Sequence, residues 1–137
     1  MNDKYQQILV TDYDMERLHF LLSQRLEDDF PELRVRLEGA KVVSCKSIPH
    51  DTITVNSKVR VQDLNTGDER ALRVVFPKDE NFRHGRISVT RPLGAALLGS
   101  KVGDELVWGT VSARMKFKAK VLNIIYQPEH FGQFNLK

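Results

Sequence analysis

Four acidic side chains are the residues of this sequence best suited to chemistry. Glu27, Asp28 and Asp29 are consecutive, and Glu32 follows three positions later. Clustered carboxylates can hold Mg²⁺ when water or ligands from a partner complete its coordination shell. The alternative is a solvated turn, in which Asp29 and Glu32 favour the start of the following helix. Because charge runs usually lie in solvent, the residues on their own favour the turn over a metal site.

A cysteine close to a histidine offers a second candidate chemistry. A thiol nucleophile needs a base within hydrogen-bond reach, and His50 and Asp51 follow Cys45 closely in the sequence. No catalytic motif surrounds the cysteine, so we expect it to be a small buried residue at a helix end. The histidines also lack the spacing of a zinc motif, and the sequence therefore predicts no metal site. These histidines are His19, His50, His84 and His130.

Alternating lysines form a third candidate site. Lys116, Lys118 and Lys120 fall on one face of a predicted strand, and Lys58 and Arg60 can extend this basic face. A nucleic acid could bind such a face, but the net charge of the chain is only +3. Lysines on an exposed strand also deter aggregation. We therefore predict a solvated face and no stable direct binding of nucleic acid.

Residues 11–46 show the periodicity of helices. Met15, Leu18 and Leu22 recur at helical spacing. We predict helices at residues 13–26 and 31–44, and the short link between them favours an antiparallel hairpin, a short coiled coil. With this number of residues in each arm, the hairpin would be about 20 Å long.

From Ile53 onward the periodicity of the sequence changes to two. Ile53, Val55 and Val59 begin the first strand of this segment. The sequence predicts an antiparallel sheet of about five strands, with one short helix across it. The whole chain is therefore predicted to be an α+β protein. The remaining strands are expected at residues 71–76, 87–89, 105–108 and 115–126.

Residues 87–104 contain the short helix and parts of its flanking strands. Pro92 lacks a backbone N–H and suits the first turn of a helix. Small residues follow it, and Gly99 is well placed to cap the helix in a left-handed conformation. A short helix packed closely between two strands is a scaffold for docking and holds no group for catalysis.

Composition limits the class of protein. The chain has 137 residues, of which 41% are hydrophobic and 28% charged, as is typical of a globular domain with a modest appendage. No apolar run has the length of a membrane span, and the N-terminus lacks the pattern of a secretory signal. Cys45 is the single cysteine and cannot form an internal disulfide, which fits a reducing cytoplasm. We expect a cytoplasmic monomer that does not bind membranes.

Three blocks of the sequence resemble the Gre family of bacterial transcription factors. They are IPHDTITVNS at residues 48–57, PLGAALLGSKVGD at residues 92–104 and YQPE at residues 126–129. The resemblance implies a helical hairpin over residues 1–47 and an FKBP-like domain over residues 48–137. It also implies binding to RNA polymerase at the rim of the secondary channel, without a cofactor and without enzyme activity.

The resemblance places the docking surface around the start of the short helix. In Gre factors an acidic residue and a serine precede the proline of this helix, whereas this chain has Thr90 and Arg91 before Pro92. The implied docking residues are Thr90, Arg91, Pro92, Leu93, Ala96, Leu97 and Gly99.

The predicted length of the hairpin decides which of two activities implied by the resemblance we expect. Gre factors hold a catalytic Mg²⁺ with acidic residues at the tip of a longer coiled coil and thereby provoke transcript cleavage. A hairpin of about 20 Å should stop short of the polymerase active centre. We therefore expect a regulator that competes with Gre factors and does not stimulate cleavage. The alternatives are a Gre-like cleavage factor, a small nucleic-acid-binding module, and an FKBP-type prolyl isomerase, for which Trp108 lacks the surrounding aromatic motif.

Overall fold

The computed structural model describes residues 7–108 and 117–133. Its helices are α1 (Asp12–Ser23), α2 (Pro31–Glu38) and α3 (Pro92–Leu97). Its strands are β1 (Leu9–Thr11), β2 (Lys41–Val43), β3 (Lys58–Asp63), β4 (Glu69–Val75), β5 (Arg86–Ser88), β6 (Glu105–Trp108) and β7 (Phe117–Tyr126). Within these residues no helix has the length and apolar character needed to cross a membrane. The predicted α+β class is confirmed.

Five strands form one sheet in the order β5-β4-β3-β7-β6. Strand β3 is antiparallel to both of its neighbours, and β6 is antiparallel to β7. Strand β5, however, pairs with β4 in parallel, with Val74 opposite Ile87. The prediction of a wholly antiparallel sheet is therefore wrong at this edge. The chain between these strands passes through two 3-10 turns, Pro77–Asp79 and Phe82–His84, and this longer connection lets β5 run in the same direction as β4.

The predicted strand that begins at Ile53 starts later in the structure, at Lys58. Ile53 and Val55 are buried, but they lie in a turn-rich segment before β3. The Ser57 N–H donates to the Thr54 carbonyl, and Asn56 adopts a left-handed conformation that interrupts an extended chain. Burial of this segment, and not strand pairing, accounts for its apolar residues.

The second predicted helical arm is shorter than expected. Helix α2 ends at Glu38 instead of residue 44, and Gly39 follows it. The next residues form β2, which pairs in parallel with β1. The β-branched residues Val42 and Val43 favour this strand over a helix. With 12 residues in α1 and 8 in α2, the helices are about 18 Å and 12 Å long.

The helices and the sheet share one hydrophobic core. Leu18 of α1 and Leu33 of α2 are fully buried in the same cluster as Val59, Val74 and Val121 of the sheet. The division into domains at residue 47 stays a prediction, and residues from both sides of it contribute to this core. The N-terminal helices therefore pack as part of the body that carries α3.

Candidate docking surface

Helix α3 is held in place by two glycines. A Cβ atom at Gly94 would overlap the carbonyl oxygen of Ser88, so a glycine lets α3 lie directly on the backbone around β5. At the other end, Gly99 has φ +77°, and its N–H donates to the carbonyl of Ile53 at 2.8 Å. The predicted left-handed glycine after α3 is confirmed. A Cβ there would lie 2.6 Å from Cβ of Ile8. Close packing at both ends therefore fixes the position of α3 relative to β5 and Ile8.

Helix α2 is connected to α3 by an arginine. The Arg36 guanidinium donates one hydrogen bond to the Leu98 carbonyl at 2.7 Å and another to Ser100 Oγ at 3.3 Å. Burial lowers the pKa of Arg36, although Asp104 opposes this effect. The short N-terminal helices thus have a direct polar contact with the end of α3.

The predicted docking residues differ in their exposure. Arg91 precedes α3 as its N-cap and is exposed, and proline begins the helix as predicted. Leu97 and Gly99 are buried, so they support the helix from beneath and cannot contact a partner. The remaining four residues are partly exposed: Thr90, Pro92, Leu93 and Ala96.

An ion pair fixes the orientation of Arg91. Its Nε and Nη2 atoms donate to the two carboxylate oxygens of Glu80 at 3.1 and 3.0 Å. These hydrogen bonds, with a further one from the Ser88 N–H, hold the pKa of Glu80 below its usual value. The guanidinium also lies 5.2 Å from the centre of the Phe82 ring. Because Arg91 is open to solvent, the pair adds little stability, and its main effect is to position the arginine.

A cleft of about 420 Å³ opens beside the start of α3. This volume is in the range of small ligand pockets. Trp108 lines the cleft from β6, the strand in which it was predicted, and Phe82 is 60% exposed at the edge of the cleft. Charged side chains lie around the opening: Asp63, Arg70 and Arg86. The aliphatic floor comprises Val61, Leu72, Ile87, Leu93 and Ala119. Leu93 therefore belongs both to the cleft and to the predicted docking surface.

The acidic tip forms an ordered turn between α1 and α2. Asp29 folds back, and its Oδ2 accepts the Leu26 N–H at 3.2 Å. Arg34 holds the turn by donating to the carbonyls of Asp29 and Leu26 at 2.7 and 2.8 Å. In the described part of the chain, no three His, Cys, Asp or Glu side chains are grouped to hold a metal ion. The exposed acids of the tip are Glu27, Asp28 and Glu32.

The structure does not assemble the candidate thiol site. Cys45 is half-buried and lies in a turn after β2, so the prediction of a buried residue at a helix end is wrong, and its N–H donates to Asp12 Oδ1 at 3.3 Å. The His50 ring instead packs against His130, with centroids 3.9 Å apart. Among the described residues, the Cys45 thiol makes no hydrogen bond to His50.

Lys118 and Lys120 occupy one face of β7 as predicted, since Ala119 and Val121 on the other face are buried. Lys120 is opposite Glu105 in the register of β6 and β7. The third lysine of this set, Lys116, lies outside the described residues. On the neighbouring strand β3, Arg60 pairs with Glu69 at 3.9 Å. Acidic neighbours therefore reduce the positive charge of the basic face.

Two of the sequence blocks pack against each other and brace the fold. Gln127 Nε2 donates to the carbonyls of Pro49 and Thr52 at 2.8 and 2.7 Å. Thr54 Oγ1 donates to Glu129 Oε1 at 2.7 Å and also hydrogen-bonds to Ser57 Oγ. Residues 48–57 and 126–129 thus have a structural role that their sequences did not reveal.

A buried carboxyl group fastens α1 to the same region. Asp14 is only 3% exposed, and its Oδ2 accepts the Val55 N–H at 3.0 Å. Burial raises the pKa of Asp14 to about 7, and Glu129 adds to the rise, while the Val55 hydrogen bond, Arg17 and Thr11 oppose it. The sequence did contain a signal for this site, because Asp14 lies on the same helical stripe as the buried Leu18.

The fold and this surface define a member of a transcription factor family. The family model for the C-terminal domain of transcription elongation factors GreA and GreB matches residues 48–126. The chain belongs to this family. It is also similar to the regulator of nucleoside diphosphate kinase of Escherichia coli K12, with 36% identity over 94% of this chain and 96% of that protein.

Two further relatives agree with this assignment. GreA of Thermodesulfovibrio yellowstonii is 31% identical over 74% of this chain and 63% of that protein. A solved structure of a prokaryotic GreA/GreB factor from Nitrosomonas europaea superposes with a TM-score of 0.73, at 31% identity over 88% of this chain and 99% of that chain. These matches describe a regulator related to transcription factors and agree with the expectation that the chain is not an enzyme.

Proposed function

We propose that this protein docks on RNA polymerase at the rim of the secondary channel and competes there with Gre factors. Its docking surface is the exposed start of α3 together with the neighbouring cleft. The observation that supports this proposal most directly is the open apolar recess lined by Leu93 and Phe82, with Arg91 held by Glu80 and lying over the Phe82 ring. Membership of the GreA/GreB family supports the choice of partner.

The composition of this surface suits a protein partner. Phe82 is largely exposed, and Trp108 and Leu93 are partly exposed at the same cleft. Aromatic side chains and arginines are enriched among the residues that dominate binding energy at protein interfaces. An exposed apolar recess rimmed by polar groups also commonly marks a site of interaction.

The short N-terminal helices support the proposal that the protein does not stimulate transcript cleavage. Helix α1 is about 18 Å long, and α2 ends sooner. Both helices contribute to the core beneath α3, which leaves little of their length to project into a channel. The acids at the tip are part of a hydrogen-bonded turn or are open to solvent. A bound protein of this shape would occupy the entrance and keep Gre factors out.

Leu93→Asp should weaken binding to core RNA polymerase by about 10- to 100-fold, because it puts a charge into the apolar cleft. The measurement is a competition titration against GreA on core polymerase. Val42→Asp is the matched control, since Val42 is an exposed apolar residue outside the cleft. Both variants should keep the wild-type circular dichroism spectrum. Equal affinity of Leu93→Asp and wild type would place the docking surface elsewhere.

Addition of the protein to a backtracked elongation complex should leave the transcript at its original length. In the presence of GreA it should slow cleavage as its concentration rises, because both proteins compete for one site. Gel analysis of the labelled transcript measures both effects. Rapid shortening by this protein alone, lost in Asp28→Ala, would contradict the proposal and assign it to the cleavage factors. Asp28 is the informative residue because it is exposed, whereas Asp29 also holds the turn.

A further inference from the structure

Two acidic side chains, Asp63 in the lining of the cleft and Glu80 outside it, already accept hydrogen bonds within the fold. Asp63 Oδ1 accepts the N–H groups of Asn65 and Thr66 at 2.8 and 3.2 Å in the turn after β3. Glu80 accepts both donors of Arg91 and the Ser88 N–H at 3.0 Å. Asp63 Oδ1 and both carboxylate oxygens of Glu80 therefore already have donors within the fold.

Two arginines in the lining of the cleft, and Arg91 outside it, have guanidinium donors that are not used within the described part of the chain. Arg70 and Arg86 line the opening and are exposed, and within the described residues their guanidinium groups make no hydrogen bond or ion pair. Arg91 uses Nε and Nη2 for Glu80, and in the same described residues its Nη1 makes no hydrogen bond. The lining of the cleft thus presents two guanidinium groups and a single carboxylate, Asp63, whose Oδ1 already accepts two backbone N–H groups.

We propose that the cleft recognises a protein segment in which an apolar side chain is flanked by carboxylates. The apolar side chain would fill the aliphatic floor beside Leu93, and the carboxylates would accept hydrogen bonds from Arg70 and Arg86 at the opening. Guanidinium groups suit this role because their planar donor sets match carboxylate geometry. Arg91, held rigidly by Glu80, is a third determinant of specificity. This inference rests on the proposed docking function and names the chemistry of the partner surface.

The shape of the cleft favours a protein segment over nucleic acid. Its floor is made of aliphatic side chains, including the buried Val61 and Leu72. A recess with an aliphatic floor takes up one inserted apolar side chain, whereas stacking of bases would depend on the two aromatic side chains at its side, Phe82 and Trp108. Exposed Phe82 and half-buried Trp108 line the cleft beside this floor and can enclose an inserted side chain.

Charge reversal at the opening tests the inference. Arg70→Glu and Arg86→Glu should each weaken binding to core RNA polymerase by about tenfold at low salt, and by less at high salt, because surface charge pairs are screened. The control is Lys41→Glu, an equal change of charge on exposed β2, outside the cleft. Arg86→Gln, which removes the charge without reversing it, should give an intermediate loss. A midpoint of thermal unfolding equal to that of the wild type would show that each variant is folded.

The outcomes separate this inference from the proposed function. If wild type binds polymerase and the reversed variants bind equally well, the inference is wrong while docking stands. If wild type does not bind polymerase, both are wrong. Binding of a single-stranded RNA oligonucleotide that is abolished by Arg86→Glu would assign the cleft to nucleic acid and would also overturn the inference. Loss of polymerase affinity in the reversed variants alone supports it.

Discussion

Gly94→Ala is expected to lower the free energy of unfolding by about 2 kcal/mol, although alanine is the better helix former. The added Cβ would overlap the Ser88 carbonyl oxygen and lie 3.1 Å from Cα of Val89. These backbone atoms cannot move freely, because the Val89 N–H is bonded to the Val75 carbonyl at 2.8 Å. Overpacking of this kind typically costs about 1–3 kcal/mol, which exceeds the gain of about 1 kcal/mol in helix propensity. Urea denaturation measures the difference.

Gly39→Ala is the matched control for this substitution. Gly39 follows α2 with φ −94°, and nothing lies within 4 Å of the position of a Cβ. Alanine at such a compatible site is expected to be neutral or to stabilise by up to about 1 kcal/mol. An equal effect of the two substitutions would contradict the close contact between α3 and the backbone around β5. Because Gly94→Ala displaces α3, it should also weaken the proposed binding to RNA polymerase, whereas Gly39→Ala should not.

The features that local chemistry determines were predictable from the sequence. Pro92 begins α3 and a left-handed Gly99 follows it, because the proline ring and the missing side chain act within one or two residues. Strand β6 was predicted at its observed bounds, Glu105–Trp108, because the pattern of a short strand is also contained in neighbouring residues. The side chain of Thr11 caps α1 by accepting the Asp14 N–H, which is again a local interaction.

The features that depend on distant pairing were not predictable. Helix α2 gives way to β2 because β1, about 30 residues earlier, offers a strand to pair with. The parallel placement of β5 likewise depends on how the intervening turns pack. The candidate site shows the same limit, since Glu80 and Phe82 meet Arg91 only after the chain has crossed the sheet edge. The cleft itself is assembled from five strands, a 3-10 turn and α3.

The three sequence blocks therefore differ in their places in the fold, and only the block around α3 belongs to the proposed docking surface. The block around α3 provides the exposed surface, while residues 48–57 and 126–129 form the polar network to which α1 is fastened. Helix α1 connects to this network through the Asp14 carboxyl group. The protonation state of that one group should consequently affect how firmly the N-terminal helices are held.

The protein is expected to lose stability as the pH rises from about 4 to about 7. The pKa of Asp14 is raised from 3.8 to about 7 by burial, so between these values the folded state holds a proton that the unfolded state has released. Below this window both states are protonated, and above it both are ionised. The difference corresponds to about 4 kcal/mol at pH 8. Glu129, whose pKa is also raised by burial, acts in the same direction, while Arg17 opposes it.

Asp14→Asn should abolish most of this pH dependence and make the protein more stable than wild type at pH 8. The asparagine carbonyl can still accept the Val55 N–H, and its amide can donate to Thr11, which lies beside the same group. Asp14→Ala should instead destabilise at pH 4, where the wild-type carboxyl group is neutral, because it leaves the buried Val55 N–H without an acceptor. Glu129→Gln should remove only the smaller part of the decrease in the free energy of unfolding between pH 4 and pH 8. Urea denaturation of the wild type and the three variants between pH 4 and pH 8 gives these curves, and an unchanged slope in Asp14→Asn would show that Asp14 does not titrate in this window.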